Sequence, residues 1–290
     1  MALFAHLRAG RAVERGGRLL DDGKLDEAAV CYRQAAELAP QWSVPWFNLG
    51  LVYKFQRRWG ESLTCNKRAV ELNASDEGAR WNLGLAATAV GDWRTARAVW
   101  RNIGLQFPDE DGFVDCKMGL VPVRLDPAGV GEVVWCHRLD PARAQIDNVP
   151  LPESKRRYHD ILLHDGEARG ERLLRGQKVP VFNELAVLQP SEYATFKVEV
   201  RAPRFDDDLD ELSKLLFARE LAVEDWTANV RRLCNACSEG SPGKHEHDRD
   251  ADRWRRFGIA ARDEAAVRDA LEAWRAVHDG RIFDGLERVL

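Results

Sequence analysis

A chain of 290 residues, 45% hydrophobic and 31% charged, carries enough apolar mass for two or three cores, which excludes global disorder. Its 43 basic and 47 acidic residues leave a formal charge of −4, so no long-range field draws in nucleic acid or anionic lipid. No segment approaches the roughly 18 apolar residues of a membrane span, and MALFAHLRAGRAVERGG lacks the apolar run of a signal peptide, so a cytoplasmic location is expected.

The six cysteines do not read as a secreted disulfide framework. Cys31 and Cys65 occupy equivalent places in a repeat, Cys116 and Cys136 stand alone, and only Cys234 and Cys237 are close neighbours.

The N-terminal third is periodic. A shift of 34 residues superimposes Gly16, Gly50 and Gly84, then Leu19, Tyr53 and Ala87, then Leu25, Trp59 and Trp93. The register continues through Ala28, Ser62 and Ala96, through Tyr32, Asn66 and Trp100, and through Pro40, Ala74 and Pro108. Each copy holds two apolar faces at helical spacing, separated by breaks such as DDGK or VGDW, which predicts two antiparallel helices per copy. A glycine or alanine where the helices cross lets the backbones approach, and large residues fill the space between neighbouring copies. The proline falls after the second helix, where it ends the helix without removing a needed hydrogen bond.

In PWFNLGLVY from Pro45 to Tyr53 and ARWNLGLAATAVGDWRTA from Ala79 to Ala96, the chain resembles the tetratricopeptide repeat family. The resemblance covers copies at 9–42, 43–76 and 77–110, about a third of the chain. The first copy departs from the pattern, with Arg15 where Leu49 and Leu83 stand, and is expected to act as an amphipathic cap. The resemblance implies that the first helix of each pair lines a concave groove for a partner polypeptide. The residues so placed are Val13 and Leu20, then Phe47, Leu51, Lys54 and Phe55, then Trp81, Leu85 and Ala89. Asn48 and Asn82 match a family asparagine that bonds a bound peptide backbone. Only Lys54 is basic, which argues against a clamp for a terminal carboxylate and for an apolar peptide or helix as the occupant. The competing expectation is that the protein's own C-terminal half covers this face.

From residue 111 to 190 the pattern shifts to short β-rich runs: GLVPVRL, GEVVWCHRL, AQIDNVPL, YHDILLHDG, ERLLRG and QKVPVF. A small barrel or sandwich is expected, with reversals at Asp126-Pro127 and Asp140-Pro141 and a turn at the DG of HDGEARG. His159, Asp160, His164 and Asp165 invite a metal or acid–base reading. On a regular strand, however, the two histidines face opposite ways, and Asp160 and His164 stand ~13 Å apart, so they read as polar strand edges and a turn aspartate.

Residues 191–290 read β, α, β, β, α through ATFKVEVRA, LDELSKLLFAREL, TANVRRLC, RRFGIAAR and DEAAVRDALEAWRAV. A last strand at RIFDG or LERVL would complete a ferredoxin-like unit. Asp206, Asp207 and Asp208 are placed to initiate the first helix. Between the second and third strands, the 234–247 loop holds Cys234 and Cys237 as C-x2-C, and His245 and His247 as H-x-H. Two thiolates and two imidazoles make a tetrahedral zinc set, structural if all four bind.

The fold class expected is thus a three-repeat α-solenoid, a small β-rich domain and a ferredoxin-like α/β domain with a zinc loop. The function expected is an intracellular, non-catalytic adaptor that holds a polypeptide. One alternative is a zinc-dependent hydrolase using the repeats for docking, with Glu246 or Asp248 beside an open metal position. Another is a nucleic-acid-associated zinc protein using Arg231, Arg232, Arg253, Arg255 and Arg256, against which the charge balance argues. No phosphate loop, G-x-S-x-G elbow or H-E-x-x-H helix is present.

Overall fold

The computed structural model describes residues 2–107, 112, 115–129, 131–227 and 254–290. The chain divides into two compact units, Met1–Cys116 and Lys117–Leu290.

The first unit is helical: α1 (Ala2–Asp21), α2 (Leu25–Leu38), α3 (Ser43–Phe55), α4 (Trp59–Leu72), α5 (Glu77–Val90) and α6 (Trp93–Arg101), each packed on the next. α1 begins about two turns ahead of the repeat register at residue 9. Side-chain caps start the last pair: Asp76 Oδ1 accepts from the Ala79 N–H at 2.9 Å, and Asp92 Oδ1 accepts from the Thr95 N–H at 3.1 Å. The turn inside each pair needs a left-handed residue. Gly23 and Gly91 supply it at φ 73° and 75°, while the middle copy uses Arg57 at φ 58°. At the crossings a side chain has no room. A Cβ on Gly16 would lie 2.8 Å from Tyr32 Cε1, on Gly50 2.6 Å from Asn66 Nδ2, and on Gly84 2.6 Å from Trp100 Cη2. Asn66 is buried where its counterparts are aromatic, and its amide donates to the Ser62 carbonyl at 2.8 Å while the Ser62 hydroxyl donates to Gly50 O at 2.8 Å. A polar pair thus replaces ring packing at the middle crossing.

The second unit opens with a closed barrel of β1 (Leu120–Arg124), β2 (Val133–Arg138), β3 (Arg143–Ile146), β4 (Ile161–Leu174) and β5 (Gln177–Gln189). Successive strands are antiparallel. Because five is odd, β1 and β5 run the same way and close the barrel in parallel through Val123↔Phe182 and Arg124↔Asn183. Val121, Val123, Leu125, Val134, Cys136, Ala144, Ile146, Leu162 and Phe182 fill it.

Two expectations for this segment are corrected. YHDILLHDG and ERLLRG are not separate runs with a turn at Asp165-Gly166; both belong to β4, which passes this point with register shifts around His164 and Ala168. The reversal comes at Arg175 and Gly176, whose φ of 50° and 81° give the positive pair that a two-residue hairpin needs between Leu174 and Gln177. Nor are Asp160 and His164 polar strand edges. Asp160 is buried and accepts from the Ser191 N–H at 2.7 Å and the Arg157 N–H at 2.8 Å, and His164 is fully buried with its ring stacked on Phe182. His164 stands two residues after Leu162, which fills the barrel, so alternation along β4 carries the imidazole to the same inward side, onto Phe182.

The chain continues through β6 (Ala194–Arg201), α7 (Phe205–Ala218), β7 (Ala222–Asp225), β8 (Trp254–Ala261), α8 (Glu264–Val277) and β9 (Ile282–Arg288). The sheet order is β7-β8-β6-β9 with every neighbour antiparallel. The described second strand is AVED, ahead of TANVRRLC, most of which lies outside the described residues; its two acidic positions hide it from an apolar pattern. Phe196, Val198, Val200, Leu212, Leu216, Phe257, Ile259, Leu271 and Trp274 form the core between sheet and helices.

Asp208 does more than start α7. Its side chain is 0% exposed and accepts from Arg281 Nη2 at 2.7 Å and from the Arg204 N–H at 2.9 Å, while its backbone carbonyl accepts from Trp274 Nε1 at 2.8 Å. Burial works against its charge, but these donors outweigh that and hold its carboxyl down at about 2. Barrel and sheet also share a small core. Val149, Ala222, Trp226 and Ala260 are buried together, and the Trp226 indole lies across Gly258 and donates to Val149 O at 2.9 Å.

Candidate functional site

The helical unit presents one apolar face built on α3. Val44, Phe47, Leu51 and Phe55 recur at spacings of three and four and so share a side of the helix. Phe55 is 49% exposed and Val44 36%, while Phe47, Asn48 and Leu51 are half-buried. Val44 was not among the residues expected from sequence, although it stands three before Phe47 on the same face. Phe47 reaches the start of α5, where its ring lies 3.3 Å from the position a Cβ on Gly78 would take; a larger residue there would displace it. On α5, Trp81 is half-buried and meets Trp100 edge-on at 5.1 Å between centroids.

The remaining expected groove residues lie deeper. Leu85 is fully buried, and Lys54 and Asn82 are each 6% exposed. Lys54 Nζ donates to Asn82 Oδ1 at 3.3 Å, a bond from α3 to α5 that gives the buried ammonium an acceptor. Val13 and Leu20 pack against the cluster of Tyr32, Leu49, Val52 and Tyr53. Arg15 is exposed.

Cys234, Cys237, His245 and His247 lie outside the described residues. Among the described residues, Asp208, Glu211 and His278 bring ligand atoms within 4.8 Å of one another. Arg281 donates to both carboxylates and Arg204 lies against them as well, so guanidinium groups already supply the positive charge there. Burial pushes the His164 imidazole down to about 4, which makes it a weak base. Burial also lowers His159, partly offset by Asp147, and raises Asp160. The thiols of Cys65, pushed up to about 11, and Cys136, pushed well above its ordinary value, are held protonated by burial and are poor nucleophiles. No helix among the described residues is long and apolar enough to cross a membrane.

No family model matches the chain. A curated yeast protein (Saccharomyces cerevisiae), Essential for maintenance of the cell wall protein 1, is 28% identical over 115 residues, which is 39% of this chain; the match spans 11% of that relative's length. Similar solved structures include the second tetratricopeptide domain of Spaghetti (RPAP3) bound to an HSP90 peptide, 21% identical at a TM-score of 0.32, covering 33% of this chain and 89% of that one. The first such domain of Spaghetti, also bound to an HSP90 peptide, is 24% identical at a TM-score of 0.33, covering 34% and 78%. The Arabidopsis OM64 tetratricopeptide domain is 14% identical at a TM-score of 0.32, covering 34% and 81%. In its 34-residue period and glycine-tight helix pairs, the N-terminal segment resembles tetratricopeptide repeats.

Proposed function

We propose that the protein is a cytoplasmic, non-catalytic adaptor whose three tetratricopeptide repeats hold an apolar segment of a partner polypeptide, helical or extended, against α1, α3 and α5. The observation that carries this reading is the face of Val44, Phe47, Leu51 and Phe55, which leaves large apolar side chains in water on a helix that otherwise packs well. Aromatic residues in such a position tend to dominate interface energetics. Phe55→Asp combined with Trp81→Ala is expected to cut partner recovery from a native-host lysate at least tenfold with the fold intact by circular dichroism. Undiminished recovery would place the binding surface elsewhere.

In the same reading the four-stranded sheet with its two helices is a ferredoxin-like domain, and Cys234, Cys237, His245 and His247 hold one structural zinc. The loop between these residues is polar and rich in glycine and proline, so it has little apolar surface with which to order itself, and coordination would supply the missing free energy. Untagged protein prepared under reducing conditions is expected to carry about one zinc per chain, and a Cys234→Ser variant much less. Metal-free wild-type protein in that preparation would remove the site.

A further inference from the structure

We infer that the outer side of α1 is a second docking surface, on which Arg8, Arg11, Arg15 and Arg18, with Phe4 and Leu7 as its apolar end, receive an acidic helix of a partner protein. This surface lies beyond the face on α3 and does not depend on what that face binds.

In the 34-residue register, Arg11, Arg15 and Arg18 correspond to Pro45, Leu49 and Val52 of α3 and to Ala79, Leu83 and Ala86 of α5. Those counterparts are all buried. On α3 they mark the side that meets the preceding helix, since Leu49 and Val52 pack with Ala28, Ala29 and Tyr32 of α2. The three arginines are exposed, as is Arg8 one turn earlier. α1 therefore presents the side on which the later pairs seat a helix, with cations in place of apolar contacts.

Spacings of three, four and three set the four guanidinium groups along one side of α1 over ~15 Å. Among the described residues none of the four has an ion-pair partner, Glu14 on the same helix included. A terminal helix needs only a polar outer side to stay in solution, which interspersed charges of both signs would provide. Here the row is of one sign, and Phe4 at 73% and Leu7 at 55% exposure continue it toward the N-terminus. Solubility explains neither feature. Both fit a helix with carboxylates at the matching spacing, each able to accept a forked pair of hydrogen bonds from a guanidinium, and an apolar residue against Phe4 and Leu7. Nucleic acid would meet the charge but leave those two side chains uncovered. The shape of this side, which elsewhere in the unit holds a helix, favours a helix over a flat anionic bilayer.

The probe is a synthetic helical peptide of about twenty residues with glutamates at the same spacings and a leucine one turn beyond, titrated onto the full-length chain at low salt. Its control has the same composition with the glutamates spread around the helix. The first peptide is expected to bind at least about tenfold more tightly than the control and to weaken steeply as salt rises. Combining Arg11→Gln, Arg15→Gln and Arg18→Gln is expected to remove that advantage with the melting temperature unchanged, and Phe4→Ser with Leu7→Ser to reduce it several-fold. Phe55→Asp is expected to leave it intact, which separates this surface from that of the adaptor reading. Charge reversal by Arg11→Glu, Arg15→Glu and Arg18→Glu is expected to switch the preference to a peptide with lysines in place of the glutamates. Equal binding of the two acidic peptides, or a loss on Phe55→Asp as large as on the arginine variant, would overturn the inference. So would an arginine-dependent affinity for phosphatidylserine vesicles or a single-stranded oligonucleotide that exceeds the affinity for the acidic helix.

Discussion

Gly84→Trp is expected to abolish the cooperative melting of the helical unit, and even Gly84→Ala to lower it. A Cβ at this position would stand 2.6 Å from Trp100 Cη2, 2.7 Å from Cζ2 and 2.8 Å from Val99 Cγ1, so the first added carbon already overlaps a rigid ring and a packed methyl. Trp100 is 1% exposed and also meets Trp81, so it has nowhere to retreat. Overpacking of this kind costs about 1–3 kcal/mol for small additions and more for large ones. Gly50→Ala should be milder, because the neighbour there is the end of Asn66, whose amide can turn away at the cost of its bond to Ser62 O. Thermal denaturation of Gly84→Trp and Gly50→Trp is the check. Unchanged transitions in both would remove the assignment of these glycines to helix crossings.

Arg281→Met is expected to destabilise the second unit by about 3–5 kcal/mol, the cost of taking the buried cation from a buried carboxylate and leaving it only the half-exposed Arg204. The guanidinium donates to Asp208 Oδ1 from Nε at 3.2 Å and from Nη2 at 2.7 Å, to Trp274 O at 2.9 Å and to Glu211, and it lies 5.2 Å over the Trp274 ring. Side-chain exposure is 1% for Arg281 and 0% for Asp208, so solvent screens little of this. At ~2–4 °C per kcal/mol for a unit of this size, the melting point should fall by roughly 6–20 °C. Adding Asp208→Asn to Arg281→Met should recover part of the loss, since a neutral amide is less costly to bury than a carboxylate that has lost its buried cation. A double variant less stable than Arg281→Met alone would show that the charge of Asp208 is not what Arg281 neutralises.

These two sites differ in how far sequence could reveal them. The crossing at Gly84 follows from the period that aligns Gly16, Gly50 and Gly84, because repetition marks positions where one constraint recurs. The same period aligns Gly23, Arg57 and Gly91, yet the left-handed turn at Arg57 stays hidden because its side chain is atypical for that conformation. The pairing of Asp208 with Arg281 joins residues 73 apart in the chain and exists only once α7 and the loop after α8 share a core, so no local pattern announces it. His164 shows a third case. Alternation sets it on the side of Leu162, but with Ile161, Leu162 and Leu163 all apolar the run does not say which side the closed barrel turns inward. On the candidate face, the spacing of Phe47, Leu51 and Phe55 was readable as one side of a helix. The depth of Lys54, Asn82 and Leu85 was not, because it depends on how closely the neighbouring helices approach.

The indole of Trp226 settles how this protein can be taken apart. It springs from the end of β7, covers the bare backbone of Gly258 on β8, and fastens to Val149 beside the barrel. A graft that moved the four-stranded sheet to another host without the barrel would set a large aromatic ring adrift over a glycine and strip Ala222 and Ala260 of their cover. The barrel, lifted out alone, would in turn lose the lid over Val149. Barrel and sheet are therefore a single transplantable cassette, to be moved together from about Lys117 onward.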